Sequence, residues 1–157
     1  MNWKEYITNN LSLLDKMTEF TFNLPATDSL LSNLKENFSL SELPNELEEL
    51  YRQTNGVDEV LLGQGKISEL VWPIDKVIET NKQYISYTDF KDIYMSFDEL
   101  LFISDAGNGD LFGFITLNGR FVRNDIFVWN HEDDSRTWVA PNLTKFLERW
   151  NNGKISV

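Results

Sequence analysis

Residues 99–131 decide the fold class, and they read ELLFISDAGNGDLFGFITLNGRFVRNDIFVWNH. Glu99–Ser104 and Leu111–Leu117 are short runs rich in apolar residues, which is typical of strands. The stretch 105–110 between them is rich in Gly, Asn and Asp, which favours a tight connection. We therefore expect the two runs to form neighbouring antiparallel strands.

A second turn follows at Asn118-Gly119, a dipeptide that tolerates a positive φ at both centres of a tight hairpin. Phe121–Val122 is expected to return beside the preceding strand, and Ile126–Asn130 is expected to add a further strand. A weaker pair of strands is expected at Val60–Leu62 and Ser68–Val71, joined by a turn at Gly63–Gly65.

Apolar residues at helical spacing predict four or five helices around these strands. The best delimited helix follows Leu43, because Pro44 suits a first turn and Asn55-Gly56 supplies a left-handed stop. Trp72-Pro73 is a second place where a Pro can open a helix, so we expect Trp72 to pack the start of this further helix against the sheet. The predicted helices run from Asn2 to about Leu14, over Asp28–Phe38 with Asp28 as N-cap, over Pro44–Thr54, onwards from Pro73, and over Pro141–Trp150.

The order of these elements indicates an α+β fold. Helices come first, an antiparallel meander follows and a helix closes the chain, which differs from the βαβ alternation of a doubly wound parallel sheet. The 157 residues contain no Gly/Ser-rich linker, internal repeat or low-complexity stretch. We expect a single domain over residues 1–157, an antiparallel sheet meander flanked by several helices.

The charge balance is strongly acidic. The chain has 14 Lys and Arg against 25 Asp and Glu, a formal net charge of −11. Residues 25–119 hold 17 of the acidic residues and six of the basic ones. Unaided binding to nucleic acid is disfavoured, because each phosphate contact needs a Lys or Arg to displace counterions. An extended negative field attracts a basic partner instead.

The sequence has no Cys, which excludes disulfides, thiolate nucleophiles and cysteine-based metal sites. Residues 1–6 lack the basic start and apolar run of a secretory signal, and no apolar stretch reaches the length that spans a bilayer. We expect a cytoplasmic protein that binds neither nucleic acid nor membrane.

Candidates for catalysis or metal binding are few. His131 is the single His, and no Gly-x-Ser-x-Gly motif accompanies it in a Ser-His-Asp arrangement. Glu132–Asp134 follow it directly, but adjacent residues rarely converge on one ion. The stretch 105–110 resembles a calcium loop superficially, with Gly107 and Gly109 where such loops carry oxygen-bearing side chains. We predict no catalytic residue, no metal ligand and no cofactor.

Three segments taken together resemble a known family. Leu43–Gly56 is a helix led by Leu-Pro and ended by Asn-Gly, Leu100–Phe114 carries a Gly-Asp loop between strands, and Ile126–Asp134 ends in an acidic turn opened by His. In this order they resemble the SMI1/KNR4 family, also called the SUKH superfamily, over about residues 25–150. The resemblance implies an α+β fold without catalytic activity. Bacterial members are commonly immunity proteins that neutralise a toxin domain, often a nuclease, and fungal relatives act in cell-wall regulation.

The resemblance and the charge together predict an immunity protein that binds a cognate polymorphic toxin, a basic nuclease domain, as a monomer or weak dimer. Its carboxylates would mimic a phosphate backbone. A regulatory scaffold that binds an endogenous protein and a hydrolase built on His131 are the alternatives. The helix carboxylates Glu46, Glu48 and Glu49 are the second choice for the surface. The expected partner-binding residues are Asp105, Asp110, Trp129, Glu132, Asp133, Asp134 and Trp138.

Overall fold

The computed structural model describes residues 1–11 and 17–157. Within these residues it contains five α-helices and seven strands. The helices are α1 Trp3–Asn10, α2 Asp28–Asn37, α3 Asn45–Gln53, α4 Ile74–Ser86 and α5 Leu143–Asn151, with a 3₁₀ helix at Thr88–Asp92. The strands are β1 Thr18–Phe22, β2 Val57–Leu61, β3 Gly65–Val71, β4 Leu100–Asp105, β5 Leu111–Leu117, β6 Arg120–Trp129 and β7 Arg136–Ala140.

The strands form two antiparallel sheets. The first has the order β1-β2-β3 and the second the order β4-β5-β6-β7, so both are meanders of consecutive strands. The predicted α+β class is confirmed, and so is the antiparallel pairing of β4 with β5 across residues 106–110. The weak strand pair predicted near residues 60–71 is present as β2 and β3, and both strands begin three residues earlier than expected.

The strand predictions need three corrections. Phe121–Val122 and Ile126–Trp129 are parts of one continuous strand, β6, and the predicted end, Asn130, lies just after it. An irregularity in the pairing with β5 lets the ladder continue across the polar residues between the two runs. The sequence pattern did not indicate β1, a strand of only five residues in which Phe20 and Phe22 alternate with polar residues. It also missed β7, an edge strand that carries Arg136 and Trp138.

The helix predictions are confirmed in position and corrected at several ends. Asp28 lies inside α2, because Thr27 is the N-cap and its hydroxyl accepts a hydrogen bond from the Leu30 amide at 3.2 Å. Likewise Asn142 caps α5, which starts two residues after Pro141. Leu14, the predicted end of the first helix, lies outside the described residues. No helix in residues 1–11 or 17–157 is long and apolar enough to cross a membrane.

Trp72 connects the two sheets and two helices. Its side chain is buried, and its backbone amide donates to the carbonyl of Ile103 in β4 at 2.8 Å. Its carbonyl accepts a hydrogen bond from the hydroxyl of Tyr51, on α3, at 2.9 Å. Pro73 follows as the N-cap of α4. The expectation that Trp72 packs the start of a helix against the sheet is confirmed.

Asn81 closes the free edge of β4. The buried Asn81 side chain accepts a hydrogen bond from the Phe102 amide and donates to the Phe102 carbonyl, each at 2.8 Å. The side-chain amide thus replaces the neighbouring strand that an edge position lacks. Since unpaired backbone groups in a dry core are costly, this contact holds α4 against the second sheet.

We predict that Asn81→Leu destabilises the protein by about 3 kcal/mol, because the substitution leaves the buried amide and carbonyl of Phe102 without partners. Urea unfolding of the full chain measures the change in the free energy of unfolding. Gln83→Leu is the matched control, since Gln83 is exposed on the same helix and its substitution should cost less than about 0.5 kcal/mol. Equal stability of the two variants would show that Asn81 does not close the edge.

Candidate functional site

Two loops meet at one end of the second sheet. One connects β4 to β5 and the other, residues 130–135, connects β6 to β7; antiparallel order places both at the same end. Asp110 Oδ1 accepts a hydrogen bond from the His131 backbone amide at 3.0 Å and lies 2.6 Å from His131 Nδ1. We call residues 105–110 and 130–135 together the loop end.

Asp110 is 1% exposed, although the sequence analysis proposed it as a contact residue. Burial by itself raises the pKa of its carboxyl group. The hydrogen bonds from the His131 ring, the His131 amide and the Asn108 side chain outweigh burial, so the pKa of Asp110 lies below its ordinary value of 3.8. Asp110 is therefore an ionised internal support for the second loop.

Gly109 allows the two loops to approach closely. Its φ is +107°, and a Cβ atom at this position would lie 3.0 Å from His131 Nδ1. The sequence analysis attributed Gly107 and Gly109 to a tight connection between strands. The structure supplies the additional reason for Gly109, which is the His131 ring packed directly against it.

Asp134 ties the second loop to the segment before β4. Its Oδ1 accepts a hydrogen bond from the Trp129 indole at 2.7 Å, and its Oδ2 accepts one from the Met95 amide at 2.8 Å. Asp134 has a φ of +60°, a conformation that side-chain hydrogen bonds of this kind can hold in place. Trp129 is buried beneath it. Both residues thus fix the loop from inside.

Asp105 has a similar internal role. Its Oδ2 accepts a hydrogen bond from the Trp72 indole at 2.9 Å, and its Oδ1 accepts one from the Gly107 amide at 3.1 Å. Lys76 Nζ lies 3.7 Å from Oδ2. The carboxylate is partly exposed, but its hydrogen bonds connect the first loop to the joint between the sheets.

Glu132, Asp133 and Trp138 project into solvent. Hydrogen bonds from Ser135 hold the pKa of Asp133 below its usual range, so this exposed carboxylate is charged at neutral pH. Trp138 is 46% exposed, with the Arg149 guanidinium 5.1 Å from the centre of its ring. Of the expected contact residues, these three are the exposed ones.

The family model described as the SMI1 / KNR4 family (SUKH-1) matches residues 25–149. This chain belongs to the SMI1/KNR4 family. The match runs from Pro25 to Arg149, two residues before the end of α5, and includes both loops of the loop end. No curated protein matches the chain. Family membership supports a role in binding or immunity for this SMI1/KNR4 protein.

The helix carboxylates that were the second choice have partners within the SMI1/KNR4 domain. Glu46 Oε2 accepts a hydrogen bond from the Thr144 amide at 2.9 Å, at the start of α5. Glu48 pairs with Arg52 at 2.7 Å. Glu49 lies 3.6 Å from the amino group of Met1. These contacts make Glu46 a structural residue of the α3–α5 contact.

The sequence analysis missed the segment 94–98, which borders the loop end. The Tyr94 hydroxyl donates to the His131 carbonyl at 2.9 Å, and the Arg136 guanidinium donates to the carbonyls of Met95 and Ser96 at 3.0 and 2.9 Å. The sequence feature that could have indicated this segment is the pair of apolar residues Ile93 and Met95 within an acidic stretch. Among the described residues, no group of three His, Asp or Glu side chains could hold a metal ion.

We predict that Asp110→Asn destabilises this SMI1/KNR4 domain by about 1–2 kcal/mol at pH 7, because it weakens a buried, charge-assisted contact to His131. A carboxyl group with a lowered folded-state pKa adds stability above its unfolded pKa, near 3.8, and this stability is lost as pH falls through the folded value. The wild-type protein should therefore lose more stability between pH 5 and pH 3 than the variant does.

Guanidinium unfolding at a series of pH values measures this difference. Glu132→Gln is the matched control, because Glu132 is an exposed carboxylate in the neighbouring loop and its loss should cost less than about 0.5 kcal/mol. If Asp110→Asn and the wild type lost stability in parallel below pH 5, the hydrogen bonds to Asp110 would not stabilise the loop end.

Proposed function

We propose that this protein is a non-catalytic bacterial immunity protein that binds a cognate polymorphic toxin in the cytoplasm and neutralises it. The partner is a basic domain, a nuclease, and the immunity protein acts as a monomer or weak dimer. Membership of the SMI1/KNR4 family supports a binding or immunity role. The net charge of −11 supports a basic partner, since a negative field accelerates encounter with positive surfaces.

One observation carries this proposal: a loop that is rigidly held from inside presents charged groups outside. Asp110 and Asp134 fix the backbone of residues 130–135, and Glu132 and Asp133 extend from that backbone into solvent. A surface that is ordered before binding loses little conformational entropy when a partner docks. The arrangement suits recognition better than turnover, because the one His uses a ring nitrogen to support the loop.

The proposed neutralisation is electrostatic and steric. A nuclease binds its substrate through Lys and Arg that contact phosphates. Glu132 and Asp133 would take the place of those phosphates, and the exposed indole of Trp138, on the strand that follows the same loop, would add an apolar contact. The other residues expected from the sequence, Asp105, Asp110, Trp129 and Asp134, contribute indirectly by holding the loops in place.

Capture from the native organism tests the proposal. Tagged full-length protein is used at low and then high salt, and the bound chains are identified by mass spectrometry. A basic toxin domain that is released as salt rises, and whose nuclease activity is lost on adding the protein, is the expected result. Recovery of endogenous regulatory proteins instead would favour the scaffold alternative.

We predict that Glu132→Lys combined with Asp133→Lys weakens the affinity for the captured toxin domain roughly tenfold or more, mainly through slower association. The substitutions replace attraction by repulsion. They remove the hydrogen bond from Ser135 to Asp133 but leave the contacts of Asp110 and Asp134 that hold the loop. Surface plasmon resonance at several salt concentrations measures both rates. The variant should also show a shallower dependence of affinity on salt.

Glu36→Lys combined with Glu42→Lys is the control, because both residues are exposed, lie far along the chain from the loop end, and change the net charge equally. If both double variants weakened binding by the same factor, net charge alone would explain the affinity and the loop end would not be the contact surface.

A further inference from the structure

A groove of about 520 Å³ lies beside the loop end. It runs between the end of α4, the 3₁₀ helix and the segment 94–98. Its lining combines aromatic rings with a polar rim, and includes Tyr84, Tyr87, Phe90, Tyr94, Met95 and Asp98.

The floor of the groove is a rigid aromatic cluster. The Tyr84 ring contacts the rings of Phe97 and Trp129 edge to face, with centroid distances of 5.3 and 5.5 Å. Tyr94 contacts Trp129 at 5.1 Å with the ring planes at 90°. Such edge-to-face pairs are favourable, and they fix ring positions on several elements at once. The groove is therefore formed before any partner arrives.

Large apolar side chains remain uncovered at this groove and next to it. Tyr87 is 47% exposed, Ile93 66% and Met95 61%. Tyr87 and Met95 line the groove, and Ile93 follows the 3₁₀ helix that forms one wall. Scattered exposed apolar residues are ordinary, but three beside one preformed groove indicate an interaction surface.

The segment that forms the groove is acidic overall, although the lining itself holds one base, Lys91, and one acid, Asp98. Residues 87–99 contain four acidic residues and a single base, Lys91. The rim continues into the loop end, because the Met95 amide donates to Asp134 at 2.8 Å and the next exposed side chains along that loop are Glu132 and Asp133. The side of the groove that faces the loop end thus has the carboxylates of Glu132, Asp133 and Asp134 beside one cation, Arg136.

We infer that this groove is the docking site for a basic polypeptide segment of the partner, one that presents an apolar side chain flanked by Lys or Arg. The apolar side chain enters between Tyr87 and Met95, and the flanking cations pair with the acidic rim. The inference rests on the proposed function for the partner's identity and deepens it by naming the surface. It also explains why the loop end and the segment 94–98 are hydrogen-bonded into one unit.

Another apolar patch does not share this chemistry. Val122 and Leu117 are 67% and 47% exposed, and a cavity of about 260 Å³ lies at Ile115, Val122 and Phe127. The segment that forms it, residues 115–127, contains two Arg and one Asp, so it lacks the negative balance of residues 87–99. It therefore serves as the comparison surface in the test.

The test is a nuclear magnetic resonance titration of the ¹⁵N-labelled full chain with a defined peptide, two leucines flanked on each side by two lysines. We expect saturable shifts in the amides of residues 84–98 and 131–135. Two control peptides, one with glutamates in place of the lysines and one with serines in place of the leucines, should each bind at least roughly tenfold more weakly. The first lacks the positive charges and the second lacks the apolar side chains. Shifts centred on residues 115–127, or no saturable shift, would overturn the inference.

Matched variants separate the groove from the rest of the surface. Ile93→Lys combined with Met95→Lys should weaken the binding of the lysine–leucine peptide roughly tenfold. Leu117→Lys combined with Val122→Lys makes the same charge change at similarly exposed sites and should leave the binding unchanged. Equal weakening by both pairs would contradict the groove assignment.

The same two pairs of substitutions, measured against the captured toxin domain, distinguish the two proposals. Peptide binding in the groove without any toxin captured would contradict only the immunity function. A neutralised toxin that binds Ile93→Lys/Met95→Lys as tightly as the wild type would contradict only the docking site.

Discussion

The joint between the two sheets at Trp72 is the contact on which the rest of the structure depends. The Trp72 backbone is hydrogen-bonded to the Ile103 carbonyl in β4 and to the Tyr51 hydroxyl on α3. The Trp72 indole donates to Asp105 at the start of the first loop. Asn81, on α4, pairs with the backbone amide and carbonyl of Phe102 at the free edge of β4. Because a two-sheet fold with an uncovered edge would leave buried backbone groups unpaired, these contacts determine where the second sheet can lie.

That placement determines the loop end. The second sheet is a simple meander, so the connections β4–β5 and β6–β7 must emerge on the same side. Once there, the carboxylates divide into two groups. Asp105, Asp110 and Asp134 accept hydrogen bonds from indoles, amides and a histidine ring, whereas Glu132 and Asp133 project outward. The carboxylates that are hydrogen-bonded within the loops, of which Asp110 is buried, give the exposed ones a fixed position.

The same organisation extends to the groove. Trp129 is buried below Asp134 and also belongs to the aromatic floor beneath Tyr84 and Tyr94. A single indole therefore supports both the acidic loop and the apolar groove. Recognition of a basic partner with an apolar contact residue would use the two surfaces together, with charge steering the encounter and the apolar contact slowing dissociation.

The sequence alone determined the α+β class, the positions of the helices and the resemblance to the SMI1/KNR4 family, because apolar spacing, Pro and Gly signals act over short distances along the chain. It also identified the loop end as a candidate site. Only the tertiary structure decided which of its carboxylates are exposed. Asp110 and Asp133 look alike in sequence, but Asp110 packs against His131 and Asp133 faces solvent. The same holds for Asn81, whose role depends on the backbone of Phe102, 21 residues further along the chain. It holds also for β7, which is a strand because it pairs with β6 across residues 130–135. A turn-rich stretch between two apolar runs can indicate a hairpin, as it did for β4 and β5, but burial of a given carboxylate depends on the packed chain.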